Sequence, residues 1–226
     1  MNIHVGYDDA QDIAYEICKY SIIKNAHRKD ISISKINCDT VVGYDRSYDP
    51  LASTPFTYAR FYIPFINQYK GFSIFCDGDF LFLDDIQNLI DQFDPQYAVQ
   101  VVKHDYTPSN TVKMNDKPQS VYPRKNWSSL ILWNNEHPKN KTLDLNLLNG
   151  ATGSFLHQFQ WLDDGDIGEI SYDWNWLVGW YNETPKMSPK ALHFTEGGPW
   201  LKPIEDKYDC IWESYKKCYI NTSDEQ

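Results

Sequence analysis

The run Phe72-Ser73-Ile74-Phe75-Cys76 is the most apolar short stretch of the chain, and it stops abruptly at Asp77-Gly78-Asp79. A continuous apolar run bounded by turn signals suits a strand buried on both faces, not one that alternates between core and water. Such strands lie in sheets covered by helices on each side, so this segment points to an α/β layer.

The rest of the chain supplies matching pieces. Residues 2–6 read as a first strand ending in Tyr7-Asp8-Asp9, and Ala14, Ile17, Cys18, Ser21 and Ile22 then recur at helical spacing. Either Asp8 or Asp9 can cap that helix. Residues 31–36 are β-branched and strand-like, whereas 39–55 carry Gly43, Asp49, Pro50 and Pro55 and read as a long surface loop. A short helix over 56–63 precedes the central strand, and Ile86, Leu89, Ile90 and Phe93 form an amphipathic face after it. Residues 98–102 and 129–133 are further strands, 143–159 is helical with a break at Gly150, and 191–194 is a last short strand. Tyr208, Ile211, Trp212, Tyr215 and Tyr219 mark a C-terminal helix. The expectation is one domain over residues 1–220 with a mostly parallel sheet flanked by helices, and a disordered tail over 221–226. The polar stretch 103–125, with Pro108, Pro118 and Pro123, reads as a loop or lid.

Composition narrows the function. A net charge of -10, from 31 acidic against 21 basic side chains, disfavours a sequence-independent grip on nucleic acid or docking on anionic lipid. No apolar run approaches the roughly 18 residues of a membrane span, and the start Met1-Asn2-Ile3-His4 lacks secretory character, so a cytoplasmic protein is expected. The five cysteines are odd in number without a CxxC pair, which suits reduced thiols. Aromatic residues make up 15% of the chain, a content that suits a folded core and also sites that stack on sugars or bases.

In open α/β sheets ligands bind beyond the carboxyl ends of strands. Two strands here end in acids, the first at Asp8-Asp9 and the central one at Asp77-Gly78-Asp79. Carboxylates two positions apart share one side of an extended chain and repel each other unless a cation joins them. Hard oxygen ligands suit Mg²⁺ or Mn²⁺, which keep positions open for phosphates. Any acidic protein contains such triplets on turns, but here a buried strand precedes it and an apolar segment follows. Gly78 is expected to let the backbone turn between the two acids. His193, at the end of the last strand, could complete the metal site, and Gly197 and Gly198 would let backbone amides approach phosphate; a hydrogen-bonded core histidine is the plainer alternative. Arg60 could contact phosphate or simply pair with an acid of the same chain.

The segments Asn2-Ile3-His4-Val5-Gly6-Tyr7-Asp8-Asp9, Tyr58-Ala59-Arg60-Phe61-Tyr62-Ile63-Pro64, Ile74-Phe75-Cys76-Asp77-Gly78-Asp79 and His193-Phe194-Thr195-Glu196-Gly197-Gly198-Pro199-Trp200 follow one another in an order that resembles GT-A glycosyltransferases of the family 8 type. That family includes lipopolysaccharide galactosyl- and glucosyltransferases and glycogenin. The resemblance implies a single Rossmann-like GT-A domain and transfer of a hexose from a nucleotide sugar, UDP-glucose or UDP-galactose, to a saccharide or other hydroxyl acceptor, with retention of configuration. It implies that Asp77, Asp79 and His193 ligate Mn²⁺ (or Mg²⁺), and that Gly6, Tyr7, Asp8, Arg60, Gly78 and Gly198 border the donor. Asn126, before the strand 129–133, would contact the sugar, although Trp127-Ser128 replaces the family's small pair. Gly198-Pro199-Trp200 lacks the family's lysine, for which Lys202 is a nearby substitute. Asp163 and Asp164 are carried as the sugar-binding or catalytic acid. In this scheme the 103–125 segment closes over the donor and excludes water.

Three other readings compete. A haloacid-dehalogenase-type phosphohydrolase would place its acidic pair in the first strand and a Thr where Leu81 stands. A sugar nucleotidyltransferase would want a Gly-rich basic loop in place of Asp8-Asp9-Ala10-Gln11. A non-catalytic carbohydrate-binding protein would use the aromatics without any metal.

Overall fold

The computed structural model describes residues 1–50, 52–105, 124–184 and 187–223. The strands are β1 (Asn2–Gly6), β2 (Ser32–Ile36), β3 (Phe72–Cys76), β4 (Phe80–Phe82), β5 (Val99–Val101), β6 (Leu130–Asn134), β7 (Ile167–Glu169), β8 (Trp176–Leu177) and β9 (Ala191–His193). The helices are α1 (Asp12–Asn25), α2 (Ile63–Ile66), α3 (Ile86–Ile90), α4 (Leu145–Gly150), α5 (Gly153–His157) and α6 (Lys207–Ser223).

Six strands form the main sheet in the order β2-β1-β3-β6-β5-β7. β1 pairs in parallel with β2 and β3, and β5 with β7, while β6 runs antiparallel to both of its neighbours. The sheet is therefore mostly parallel, as an α/β layer requires. β3 sits near its middle, and residues 73–76 are all buried, which explains why its sequence is continuously apolar. A second, three-stranded sheet, β4-β9-β8, was not foreseen; β9 joins it antiparallel to β4 and parallel to β8.

The expected helix over 143–159 is two short ones. Ala151 and Thr152 are extended between them, and the Thr152 hydroxyl caps α5 by accepting from the Phe155 N–H at 3.1 Å. At the other end of the chain, α6 runs through Asn221 to Ser223, where the sequence suggested disorder; residues 224–226 lie outside the description, as do residues 106–123 of the presumed lid.

Part of the aromatic content builds the core. Trp133, Trp174 and Trp176 are fully buried and Trp212 nearly so. Trp176 and Trp212 join Ile17 of α1 and Tyr208 of α6 in one apolar cluster that ties the second sheet to the helices. Among the described residues no helix is long and apolar enough to cross a membrane.

Candidate active site

The registers bring three chain ends to one edge of the main sheet. Val5 of β1 lies beside Cys76 at the end of β3, and Cys76 faces Leu130 at the start of β6. The Asp77 N–H extends that ladder by donating to the Ser129 carbonyl at 2.9 Å. Directly beyond, Phe80 pairs with His193 across β4 and β9, and the Phe194 N–H reaches the Asp79 carbonyl at 3.1 Å. The second sheet thus delivers the histidine to the acidic triplet. A cleft of about 550 Å³ opens at this edge.

Asp77, Asp79 and His193 each offer one ligand atom, and these atoms all lie within 4.8 Å of one another. The His193 ring is buried and stacks on Phe80 at 4.5 Å between centroids. Its Nδ1 lies 2.9 Å from Asn175 Oδ1, while its Nε2 faces Asp79 Oδ1 at 3.4 Å. That Asp79 oxygen is buried and has no hydrogen-bond partner among the described residues. A neutral imidazole nitrogen and a carboxylate oxygen facing each other at this separation suit a shared cation, so this donor set fits a divalent ion with two carboxylates and one imidazole.

Arg60 is only 6% exposed, and its guanidinium is engaged through Nε and Nη1. It pairs with Asp77 Oδ1 at 2.7 Å, donates to the carbonyls of Thr57 (3.2 Å) and Ser128 (2.8 Å), and lies over the Phe75 ring. It therefore orients Asp77 as well as adding positive charge to the cleft. Nearby, burial first and the neighbouring His193 second push the His104 imidazole down to about 3, so it adds no charge beside the triad. Burial also drives the Cys76 thiol well above its ordinary range.

Of the residues singled out from sequence, Gly6, Asp8, Arg60, Asp77, Gly78, Asp79, Asn126 and His193 all border this cleft. Asn126 stands in the left-handed region at φ 63°, and its Nδ2 is a buried donor with no hydrogen-bond partner among the described residues. Gly78 is required for a different reason from the one its sequence suggested. Its φ is not positive; instead a Cβ there would overlap the Gly6 carbonyl oxygen where β1 and β3 meet.

Five others are placed elsewhere. Asp163 and Asp164 sit on an exposed turn outside the cleft lining. Asp163 pairs with Lys139 at 2.6 Å and Asp164 with Arg124, while the Asp166 carboxylate closes the turn onto the Asp163 N–H at 2.8 Å. Short polar Asp-Asp-Gly-Asp stretches favour such turns. The Tyr7 ring turns away, its hydroxyl donating to Asp12 at 2.9 Å and its face under Lys35. Gly198 packs against Trp200, the Gly197 N–H is used by the Phe194 carbonyl, and Lys202 lies near Glu205. Trp200 still reaches the cleft indirectly, by donating to Gln11 Oε1 at 3.0 Å.

Sequence reasoning missed the far wall of the cleft, which Asp49, Tyr58, Thr152, His157 and Gln158 line. Tyr58 donates to Asp49, and burial together with that bond raises its hydroxyl to about 12. His157 Nδ1 meets Ser128 Oγ at 2.9 Å. Asp49 comes from the 39–55 loop, Tyr58 from the turn that leads into Arg60, and Thr152, His157 and Gln158 from the start, the end and just beyond α5; only their convergence in space marks them as one wall.

The architecture is that of the GT-A glycosyltransferases. The chain superposes on the glycosyltransferase GlyE of Streptococcus pneumoniae with a TM-score of 0.63 at 14% identity, covering 98% of this chain and 62% of that one. The galactosyltransferase LgtC, solved with donor and acceptor sugar analogues, gives 0.59 at 12% identity, covering 96% of each chain. The bifunctional glycosyltransferase WbbM gives 0.63 at 16% identity, covering 96% of this chain, which spans 49% of WbbM. No family model matches the sequence. Protein CDI of Arabidopsis thaliana is 44% identical over 225 residues, covering 95% of this chain and 87% of that protein, and the chain belongs to the same family as Protein CDI.

Proposed function

We propose that this chain is a metal-dependent glycosyltransferase that moves a hexose from a UDP-sugar, UDP-glucose or UDP-galactose, to a saccharide or other hydroxyl acceptor with retention of configuration. The observation that carries the reading is the Asp77, Asp79 and His193 cluster opening on a cleft of about 550 Å³ at the strand ends of a GT-A fold. In this reading residues 1–220 act as one catalytic unit in the cytoplasm.

The three side chains would hold Mn²⁺ or Mg²⁺, which when bound supplies the charge that stabilises a departing diphosphate. Arg60 holds Asp77 in place and adds a fixed cation in a water-poor setting, where charge stabilisation is strongest. Asn126 Nδ2 offers a buried donor to a sugar or phosphate oxygen, and a donor that gains a partner only on binding strengthens specificity. Asp8 lines the cleft with its carboxylate tied to the Ala10 N–H at 3.0 Å, and in this reading it would border the nucleotide. Asp163 and Asp164 stay outside this scheme because of their position; Asp49 is the carboxylate that the far wall supplies.

The test is a donor panel of UDP-, GDP- and dTDP-sugars followed for nucleotide release with Mn²⁺ present. UDP binding is measured by calorimetry in parallel. Nucleotide release from a UDP-hexose that Mn²⁺ activates is the expected result. UDP binding that ignores the metal, or that survives Asp77→Asn with Asp79→Asn, would leave a carbohydrate-binding protein as the better description.

A further inference from the structure

Behind the metal cluster lies a chain of buried polar groups that the catalytic reading does not use. Ser129 and Asn175 are 3% and 0% exposed and His193 is 2% exposed. The Ser129 hydroxyl donates to the Asn126 carbonyl at 2.7 Å, Asn175 Nδ2 donates to Ser129 Oγ at 2.9 Å, and His193 Nδ1 lies 2.9 Å from Asn175 Oδ1.

The direction of each bond follows from the first. A carbonyl can only accept, so the single hydroxyl proton of Ser129 is committed to Asn126. Ser129 Oγ must then accept from Asn175, which turns the amide nitrogen toward Ser129 and the amide oxygen toward His193. An amide oxygen only accepts, so His193 Nδ1 carries the proton. A neutral imidazole with Nδ1 protonated has a bare lone pair on Nε2, the atom 3.4 Å from Asp79 Oδ1.

We propose that Ser129 and Asn175 are positioning residues that hold His193 in its Nδ1–H tautomer, keep Nε2 ready as a metal ligand, and tie that ligand to Asn126 on the sugar side of the cleft. The inference rests on reading Asp77, Asp79 and His193 as metal ligands and is independent of the donor's identity. Outer partners of a ligating histidine fix its tautomer and orientation, and removing them typically weakens metal binding by roughly 10–100-fold. Asn126 is pinned from the same source. Its carbonyl takes both the Ser129 hydroxyl and, at 3.3 Å, the Ser129 N–H, so a shift in Ser129 moves both ends of the relay.

Two measurements test it. The first uses the unaltered, metal-free protein: long-range ¹H–¹⁵N spectra of the imidazoles, with His193→Gln to assign the signal, should show protonated Nδ1 and bare Nε2. A proton on Nε2 overturns the relay outright. The second is Mn²⁺ binding followed by electron paramagnetic resonance. Asn175→Leu, which keeps the volume and loses the acceptor, should weaken binding by about 10-fold or more. Asn175→Asp, which restores an acceptor for Nδ1 but no donor for Ser129 Oγ, should bind Mn²⁺ more tightly than Asn175→Leu. Equal losses in both variants, or Asn175→Leu binding as the parent does while folded by circular dichroism, overturn it. A parent chain that binds no Mn²⁺ but shows the Nδ1–H tautomer would end the metal reading and leave the tautomer assignment standing, so the two failures are distinguishable.

Discussion

Gly78 shows what a single atom does at the site. A Cβ there would overlap the Gly6 carbonyl oxygen, which is backbone and cannot rotate aside. Relief must come from separating the ends of β1 and β3, and Asp77 and Asp79 flank the residue that moves. Gly78→Ala is expected to cost about 1–3 kcal/mol, the usual range for overpacking, and to weaken Mn²⁺ binding at least about tenfold. Gly165→Ala is the control, since a Cβ there meets nothing within 4 Å, and surface changes of that kind stay within about 0.5 kcal/mol. Urea unfolding and Mn²⁺ titration of both variants decide it; a Gly78→Ala protein with parental stability and affinity would refute the packing argument. Arg60 invites a second test. Its guanidinium serves Asp77 and two carbonyls at once, a fork that an ammonium cannot reproduce. Arg60→Lys should therefore lose most nucleotide release while remaining folded, and a fully active variant would remove Arg60 from the site. At this scale the sequence was informative where chemistry and chain position coincide, as at Asp77, Asp79 and His193. It was less informative for Asp163 and Asp164, whose acidic pattern reads alike in one dimension but which lie outside the cleft lining and pair with Lys139 and Arg124.

Elements were legible in proportion to their length and periodicity. α1 and β3 are read directly from apolar spacing, whereas β7 and β8, of three and two residues, carry too little pattern to register. β8 exists because β9 offers it an edge, a tertiary cause that no local window contains. The same dependence on partners gives β1 a pH response. His4 is 7% exposed in β1, with Nδ1 at 3.0 Å from Ser34 Oγ of β2 and Nε2 at 3.1 Å from Asn67 Nδ2 beyond α2. The Asn67 amide also donates to the Ile63 carbonyl, so Nε2 receives its hydrogen bond and a proton there would meet a donor. Burial holds this imidazole down to about 4 against an ordinary 6.5. Between those values the unfolded chain binds the proton and the folded one does not, so stability rises with pH. The contribution is complete above about 6.5, falls away as pH drops toward about 4, and is constant below. At about 1.4 kcal/mol for each tenfold difference in proton affinity, the loss is on the order of 3 kcal/mol. His4→Gln should flatten part of the slope of urea-unfolding free energy between pH 6.5 and 4.5, with His104 and His137, both also lowered by burial, contributing to the remainder. An unchanged slope would show that His4 titrates normally.

For the whole molecule, the acidic total and the cleft have to be reconciled. The chain carries a net charge of -10, and long-range repulsion alone would turn a diphosphate away. Locally the balance is closer. Asp77 and Asp79 contribute two negative charges and Arg60 one positive, and a divalent ion among them makes the centre net positive. Many of the other acids pair with lysine and arginine, as Asp173 does with Lys190 and Glu183 with Lys207. Exposed pairs of that kind contribute little to stability. The fold makes the local balance possible, because two sheets meeting at one edge supply the acids and the histidine from segments more than a hundred residues apart. Ligand binding to the native state alone stabilises it by about 2.7 kcal/mol at one hundred times the dissociation constant. For a chain of this size that corresponds to a rise in Tm of roughly 5–10 °C. Mn²⁺ alone should therefore raise Tm, UDP alone should leave it unchanged, and the two together should exceed Mn²⁺ by several degrees. Asp79→Asn should abolish both increments, since it removes the carboxylate that faces His193 Nε2. The decisive arm is UDP without metal: a rise in Tm there, matching that with Mn²⁺, would mean that Arg60 and backbone amides bind the diphosphate unaided and that the acidic pair serves another purpose.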